Sequence, residues 1–147
     1  MLPLSGSEVR DVYPIVWTLE GLAVVEGKAR ASERIEKLRA INSGLSKART
    51  ARQRVVLDVA WHQTLIASSD NHRLIELVTT LKAVVQRYEI AYMAHRDVIS
   101  VSSEEHNAIT RALAGMRRNS SPSFPIGLAS GVLDDASIVT QSVKLSR

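Results

Sequence analysis

Apolar side chains recur at alternating intervals of four and three residues along the stretch that follows Asn71. This spacing places them on one face of an α-helix that ends near His95. A long helix with one apolar face must pack against other elements, and no segment shows the period-two alternation of a half-buried strand. The fold class predicted is therefore all-α. The apolar positions are Leu74, Val78, Leu81, Val85, Tyr88 and Tyr92.

Five further helices are predicted from apolar spacing and capping residues, which gives an antiparallel bundle of about six helices. The first begins at Glu8 after Ser7, with a kink expected at Pro14. The fifth is expected to begin at a cap on Ser102 or Ser103 and to close at Gly115. The remaining predicted ranges are Ser32–Lys47, Thr50–Ser68 and a short last helix, Leu133–Val143.

The length of 147 residues and the 45% apolar content suit one domain spanning residues 1–147. Residues 116–131 are rich in Pro, Gly and Ser, which predicts an irregular connection within an atypical tail, 116–147. The chain has no cysteine, so any metal must be held by His, Asp or Glu. No leader-like or long apolar run is present, and a cytoplasmic protein without membrane contact is expected.

Positive charge is concentrated in residues 28–54, where nine Lys and Arg side chains are opposed only by Glu33 and Glu36. A basic surface of this kind can meet nucleic acid or another anionic surface. Aromatic residues make up only 4% of the chain and none interleaves with these charges, so a base-stacking platform is not predicted. The alternative is that these charges form the solvated outer faces of two helices.

Asp58 and His62 lie four residues apart on the third predicted helix, and both fall on one stripe with Val55 and Leu65. An ionisable pair on an inward face costs free energy unless it is hydrogen-bonded, ion-paired or coordinated to a metal. A carboxylate and an imidazole one turn apart are therefore candidate metal ligands.

His106 repeats this pattern on the fifth helix, in line with Ile109 and Leu113. Imidazole nitrogen and carboxylate oxygen suit a divalent ion, with zinc expected first and nickel or manganese as alternatives. A buried hydrogen bond between Asp58 and His62, with His106 satisfied separately, explains the same spacing without a metal. His72 and His95 have ordinary explanations near the ends of the long helix.

Several short motifs occur in the order and spacing of a known family. The stretch Leu57-Asp58-Val59-Ala60-Trp61-His62, the turn Ser69-Asp70-Asn71, and Glu105-His106-Asn107-Ala108-Ile109 resemble elements of the FadR C-terminal-type (FCD) domain of GntR transcription regulators. Asp11-Val12-Tyr13-Pro14-Ile15 and Leu19-Glu20-Gly21-Leu22-Ala23 resemble its first helix. The resemblance covers about residues 9–115.

The resemblance implies a helical effector-binding domain in which Asp58, His62 and His106 hold a divalent metal beside a small organic acid. The family's further histidine on its last helix has no counterpart, because no histidine follows Gly115. Three explanations stay open: three protein ligands with water or effector completing the shell, loss of the metal, or substitution by Asp134 or Asp135.

The resemblance also implies a small carboxylate effector, for which Arg87 and Arg96 are candidate binding residues because guanidinium pairs bidentately with carboxylates. Val16 stands where the family's first helix often has an arginine. A regulatory domain, not an enzyme, is expected, acting on DNA only through a winged helix that this chain does not include. The alternatives are a metal-dependent hydrolytic enzyme and a structural, oligomerising bundle without metal; homodimerisation stays open.

Overall fold

The helices of the computed structural model follow the predicted order. It describes residues 6–27, 30, 33–92 and 96–115, with side chains at all of these except 6–9, 87–89, 91–92 and 96–100. Within those residues the chain forms helices without a strand, which confirms the all-α prediction. The tail beyond Gly115, with the predicted helix Leu133–Val143, lies outside them. The five helices are α1 (Gly6–Glu26), α2 (Ile35–Lys47), α3 (Ala51–Ile66), α4 (His72–Tyr92) and α5 (Arg96–Gly115).

The start of α5 differs from the prediction. The helix begins at Arg96, so Ser102 and Ser103 lie inside it and not at its cap. Ser102 is buried, and its hydroxyl donates a hydrogen bond to Asp58 Oδ1 at 3.3 Å. A serine in such a position resembles a capping residue in sequence, although tertiary packing decides its role. Helix α3 starts close to its predicted first residue, Thr50, which forms a reciprocal capping box with Gln53.

Helix α3 lies at the centre of the packing, in contact with α1, α2 and α4, while α5 packs on α2. Its Trp61 is fully buried in one apolar cluster, and the neighbouring Ile66 belongs to a second cluster with α1 and α4. Helix α3 therefore has buried side chains on more than one of its faces. None of the described helices has the length and apolar content that a membrane-spanning segment needs.

The end of α1 is fixed against the turn that follows α3. A Cβ atom at Gly27 would lie 2.6 Å from the carbonyl carbon of Ser68, so a side chain does not fit there. Ser69 Oγ donates a hydrogen bond to Glu26 at 2.7 Å, and Arg30 donates one to the Ser68 carbonyl at 2.8 Å. These contacts hold the buried face of α1 against α3.

Candidate metal centre

The structure brings Asp58, His62 and His106 together in the interior. Asp58 Oδ1 lies 3.4 Å from His106 Nε2, and Asp58 Oδ2 lies 3.7 Å from His62 Nε2. One ligand atom from each residue lies within 4.8 Å of the other two. The inward positions expected for these three side chains are thus the positions found, on α3 and α5.

The spacing of these atoms suits coordination. A tetrahedral zinc ion with ligands at about 2.0–2.1 Å holds its ligand atoms about 3.3 Å apart. The two contacts from Asp58 to the histidines, 3.4 and 3.7 Å, are close to that value. Two imidazoles and one carboxylate are also a donor set that zinc and related divalent ions accept. The residues present therefore suit a metal ion in their chemistry, and their ligand atoms, which lie within 4.8 Å of one another, would have to draw closer together to bind it.

Asn42 on α2 fixes the tautomer of His106. The Asn42 amide nitrogen lies 2.9 Å from the carbonyl oxygen of Ser103 and 2.9 Å from Asn107 Oδ1, so it donates to both. Its oxygen then faces His106 Nδ1 at 3.1 Å and accepts the ring N–H. His106 Nε2 is left with its lone pair toward the Asp58 carboxylate, an arrangement that a cation between the two acceptors would satisfy.

Trp61 fixes the plane of the His106 ring. The two rings are stacked with centroids 3.7 Å apart and planes 6° from parallel, and Trp61 has no exposed surface. His62 meets both rings edge-on, at 5.1 Å from Trp61 and 5.3 Å from His106. The imidazoles are therefore held by packing before any ligand binds, which preorganises the site.

Glu20 is a site residue that the sequence analysis did not identify as one. It is buried on α1, and its Oε1 lies 2.9 Å from His62 Nδ1. The two atoms are not aligned for a hydrogen bond, so the contact is an electrostatic one between a carboxylate and an imidazole edge. Since Nδ1 and Nε2 lie on different edges of the ring, Glu20 stands behind His62 as seen from Asp58. Its sequence signal is its position four residues after the buried Val16 and three before the buried Ala23.

Lys82 on α4 adds a positive charge. Its Nζ lies 3.9 Å from Asp58 Oδ2, and only 12% of its side chain is exposed. Like Glu20 it occupies an apolar stripe, four residues after Val78 and three before Val85. We call Glu20, Asp58, His62, Lys82 and His106 the buried charge cluster; its members come from four helices.

Burial and charge oppose one another in this cluster. Burial raises the pKa of the Asp58 carboxyl, but the positive charges of His62 and Lys82 outweigh it and hold the pKa below its ordinary value. The pKa of Glu20 is lowered against burial by the same two groups. Both carboxyl groups are therefore ionised at neutral pH.

The two histidines shift in opposite directions. Burial lowers the pKa of His62, yet the Glu20 carboxylate beside it and Asp58 more than compensate, so the pKa is raised. Burial, followed by the positive charge of His62, lowers the pKa of His106 to about 3. His106 is thus neutral and offers a lone pair, while His62 carries the proton when no other cation is bound.

Arg87 and Arg96 are the remaining candidates from the sequence, and their part in this centre stays a prediction. Arg87 belongs to α4 and Arg96 to α5, but their side chains lie outside the described ones, as does His95. His72 is exposed in the first turn of α4.

Comparison with known proteins gives one family. The family described as the FCD domain matches residues 11–118 of the chain, which include every residue of the buried charge cluster. No curated protein and no solved structure matches the chain.

Proposed function

The chain belongs to the FCD domain family, and on that premise we propose that it is the ligand-sensing domain of a GntR-type transcription regulator. Its ligand is a small carboxylate bound beside a divalent metal ion that Asp58, His62 and His106 hold. The observation that supports the metal is the approach of two imidazole Nε2 atoms to one carboxylate, at 3.4 and 3.7 Å, in a buried site.

Charge balance supports an anionic effector. Without a metal, the carboxylates of Glu20 and Asp58 are matched by the charges of protonated His62 and Lys82. A divalent ion that replaces the His62 proton leaves one net positive charge in a buried space. Since an uncompensated buried charge is costly, a bound monoanion such as a carboxylate would be stabilised there.

The metal would supply a Lewis-acidic position for a carboxylate oxygen. The chain's own residues hold the imidazoles in place: Asn42 directs His106 Nε2, and Glu20 faces the opposite edge of His62. Lys82, Arg87 and Arg96 are the candidate cations for the rest of the effector. The metal ligands, the residues that orient them and these cations together come from all five described helices. Occupancy of the site would therefore bias how the helices pack.

In a complete regulator this shift in packing would pass to a winged-helix domain that binds DNA. We expect the domain to act in the cytoplasm, where such a regulator meets DNA, and homodimerisation remains a proposal. The hydrolytic alternative is less well supported, because Glu20 lies behind His62 and so is poorly placed as a general base toward a metal-bound water.

The metal is tested by elemental analysis of purified protein after zinc loading and desalting. We expect about one metal ion per chain in the wild type and in His72→Ala, a control at an exposed histidine, and a large loss in His62→Ala. Equal metal content in the two variants would rule out the site.

The effector is tested by thermal unfolding of zinc-loaded and chelator-treated protein with a panel of small carboxylates and their amides. Carboxylates should raise the Tm of the loaded protein only, and the uncharged amides should not. A chelator that leaves the Tm unchanged would favour the structural, metal-free bundle instead.

A further inference from the structure

A concave groove of about 680 Å³ lies at the connection between α2 and α3, and none of the buried charge cluster lines it. We call it the basic groove. Its walls carry three cationic side chains, and its apolar part is formed by the outer face of α3. The lining residues used below are Lys47, Arg49, Arg52, Val56 and Leu57.

The charge of the basic groove is of one sign. No acidic residue occurs between Glu36 and Asp58 in the sequence. Lys47, Arg49 and Arg52 are exposed, and among the described residues none of the three forms a side-chain ion pair. The local positive potential is therefore not neutralised by the described part of the chain.

The position of Arg52 is also unfavourable to its own helix. It is the second residue of α3, whose first turn contains no acid. Positive charge near a helix N-terminus is repelled by the helix dipole. The position of Arg52 therefore lowers the stability of α3, and an anionic partner bound in the groove would offset this unfavourable interaction.

The apolar side chains of the groove restrict which class of partner fits it. Val56 is 59% exposed although it is a large aliphatic residue, and it lines the groove beside Leu57. A nucleic acid backbone offers only the C–H groups of its sugars, and no aliphatic side chain, to such a surface. Among the described residues the groove also has no aromatic side chain for base stacking. We propose that the basic groove docks an acidic peptide segment of a partner protein in which carboxylates alternate with aliphatic side chains.

In this arrangement the partner's carboxylates pair with Arg49, Arg52 and Lys47, and its aliphatic side chains cover Val56. The interaction goes beyond effector sensing and does not depend on the metal. It would give the domain a protein contact on a face separate from the effector site.

The test is fluorescence anisotropy with the full chain and a short labelled peptide that mixes glutamate and leucine. We expect saturable binding by the wild type. Each of the single variants Arg52→Glu and Val56→Ser should weaken the peptide affinity by about tenfold. Arg73→Glu is the matched control, since Arg73 is the exposed second residue of α4, and it should leave the affinity unchanged. Circular dichroism checks that each variant is folded.

Three kinds of result would overturn the proposal. The first is a failure of the recognition itself: the peptide does not bind saturably, or a peptide with serine in place of leucine binds equally well. The second is tighter binding of duplex DNA that Val56→Ser does not affect, which would make the groove a nucleic acid surface. The third is a higher peptide affinity after Asp134→Asn and Asp135→Asn together, which would assign the groove to the chain's own acidic pair.

Discussion

The buried charge cluster and the basic groove place similar numbers of charged side chains under opposite conditions. In the cluster both signs are present, and each charged group lies within about 4 Å of an opposite one. In the groove Lys47, Arg49 and Arg52 share one sign and remain exposed to water. Burial makes an unmatched charge costly, whereas water and salt screen an exposed one. The cluster therefore has to be balanced by the fold, and the groove is free to be balanced by a partner.

The largest expected effect follows from breaking the balance in the cluster. Asp58→Asn leaves Glu20 as the cluster's one carboxylate opposite the buried charges of His62 and Lys82, so one positive charge is unbalanced. In chelator the variant should lower the free energy of unfolding by about 3–5 kcal/mol. Urea unfolding at neutral pH measures this. Asp11→Asn, at an exposed carboxylate on α1, should change it by about 0.5 kcal/mol or less. Similar losses in the two variants would contradict the view that burial distinguishes the cluster.

A smaller effect is expected at the residue that orients His106. Asn42→Ala leaves His106 Nδ1 and the carbonyl oxygen of Ser103 without their partner, at a cost of about 2 kcal/mol. It should also weaken zinc binding by about tenfold or more, because the tautomer is no longer fixed. Asn107→Ala removes only one contact of the same amide and should retain zinc affinity. Competition with a chromophoric chelator measures both, and equal zinc affinity in the two variants would remove Asn42 from the site.

The sequence was sufficient for the part of this site that lies on single helices. Asp58 and His62 are one turn apart, so helical periodicity alone puts them on a common face, and the apolar neighbours of His106 predict that it points inward. The apolar periodicity also predicts α1 to α4 in order. These inferences need only local geometry.

The site residues that the sequence did not predict act through contacts between different helices. Glu20, Asn42 and Lys82 each occupy a buried stripe of a different helix, and a polar residue on such a stripe is visible in the sequence. What periodicity does not contain is which stripes face one another, since that depends on packing of the whole bundle. The same limit explains Ser102, which resembles a helix cap until the Asp58 carboxylate is placed beside it.

The effect of pH on metal binding should be close to tenfold per pH unit. The pKa of His62 is raised in the metal-free protein, so zinc must displace a proton at any pH below that value. Apparent zinc affinity should then fall by about tenfold per pH unit as pH decreases through this range and level off above it. Calorimetry in buffers of different ionisation enthalpy counts the released proton. No proton release in that range would contradict the charge balance assigned to the cluster.

The raised pKa of His62 also predicts how the stability of the metal-free protein changes with pH. A histidine whose pKa is raised by folding contributes stability that is fully present below the unfolded pKa and is lost as pH rises through the folded pKa. In chelator, the difference in unfolding free energy between wild type and His62→Gln should therefore shrink with rising pH. The His72→Gln variant, at an exposed histidine, is the control for the effect of the substitution itself.

The smallest expected effect, of opposite sign, belongs to the basic groove. Arg52→Glu replaces a cation with an anion in the first turn of α3, where the helix dipole favours negative charge, and should raise the free energy of unfolding by about 0.3–1 kcal/mol. Arg73→Glu makes the same change in the first turn of α4 but also removes the ion pair with Glu76, so its gain should be smaller. Urea unfolding at low and high salt measures both, and the gains should diminish with salt because exposed charges are screened. A loss of stability in Arg52→Glu would mean that this arginine stabilises the fold, and the contrast between a balanced interior and a surface left for a partner would not hold.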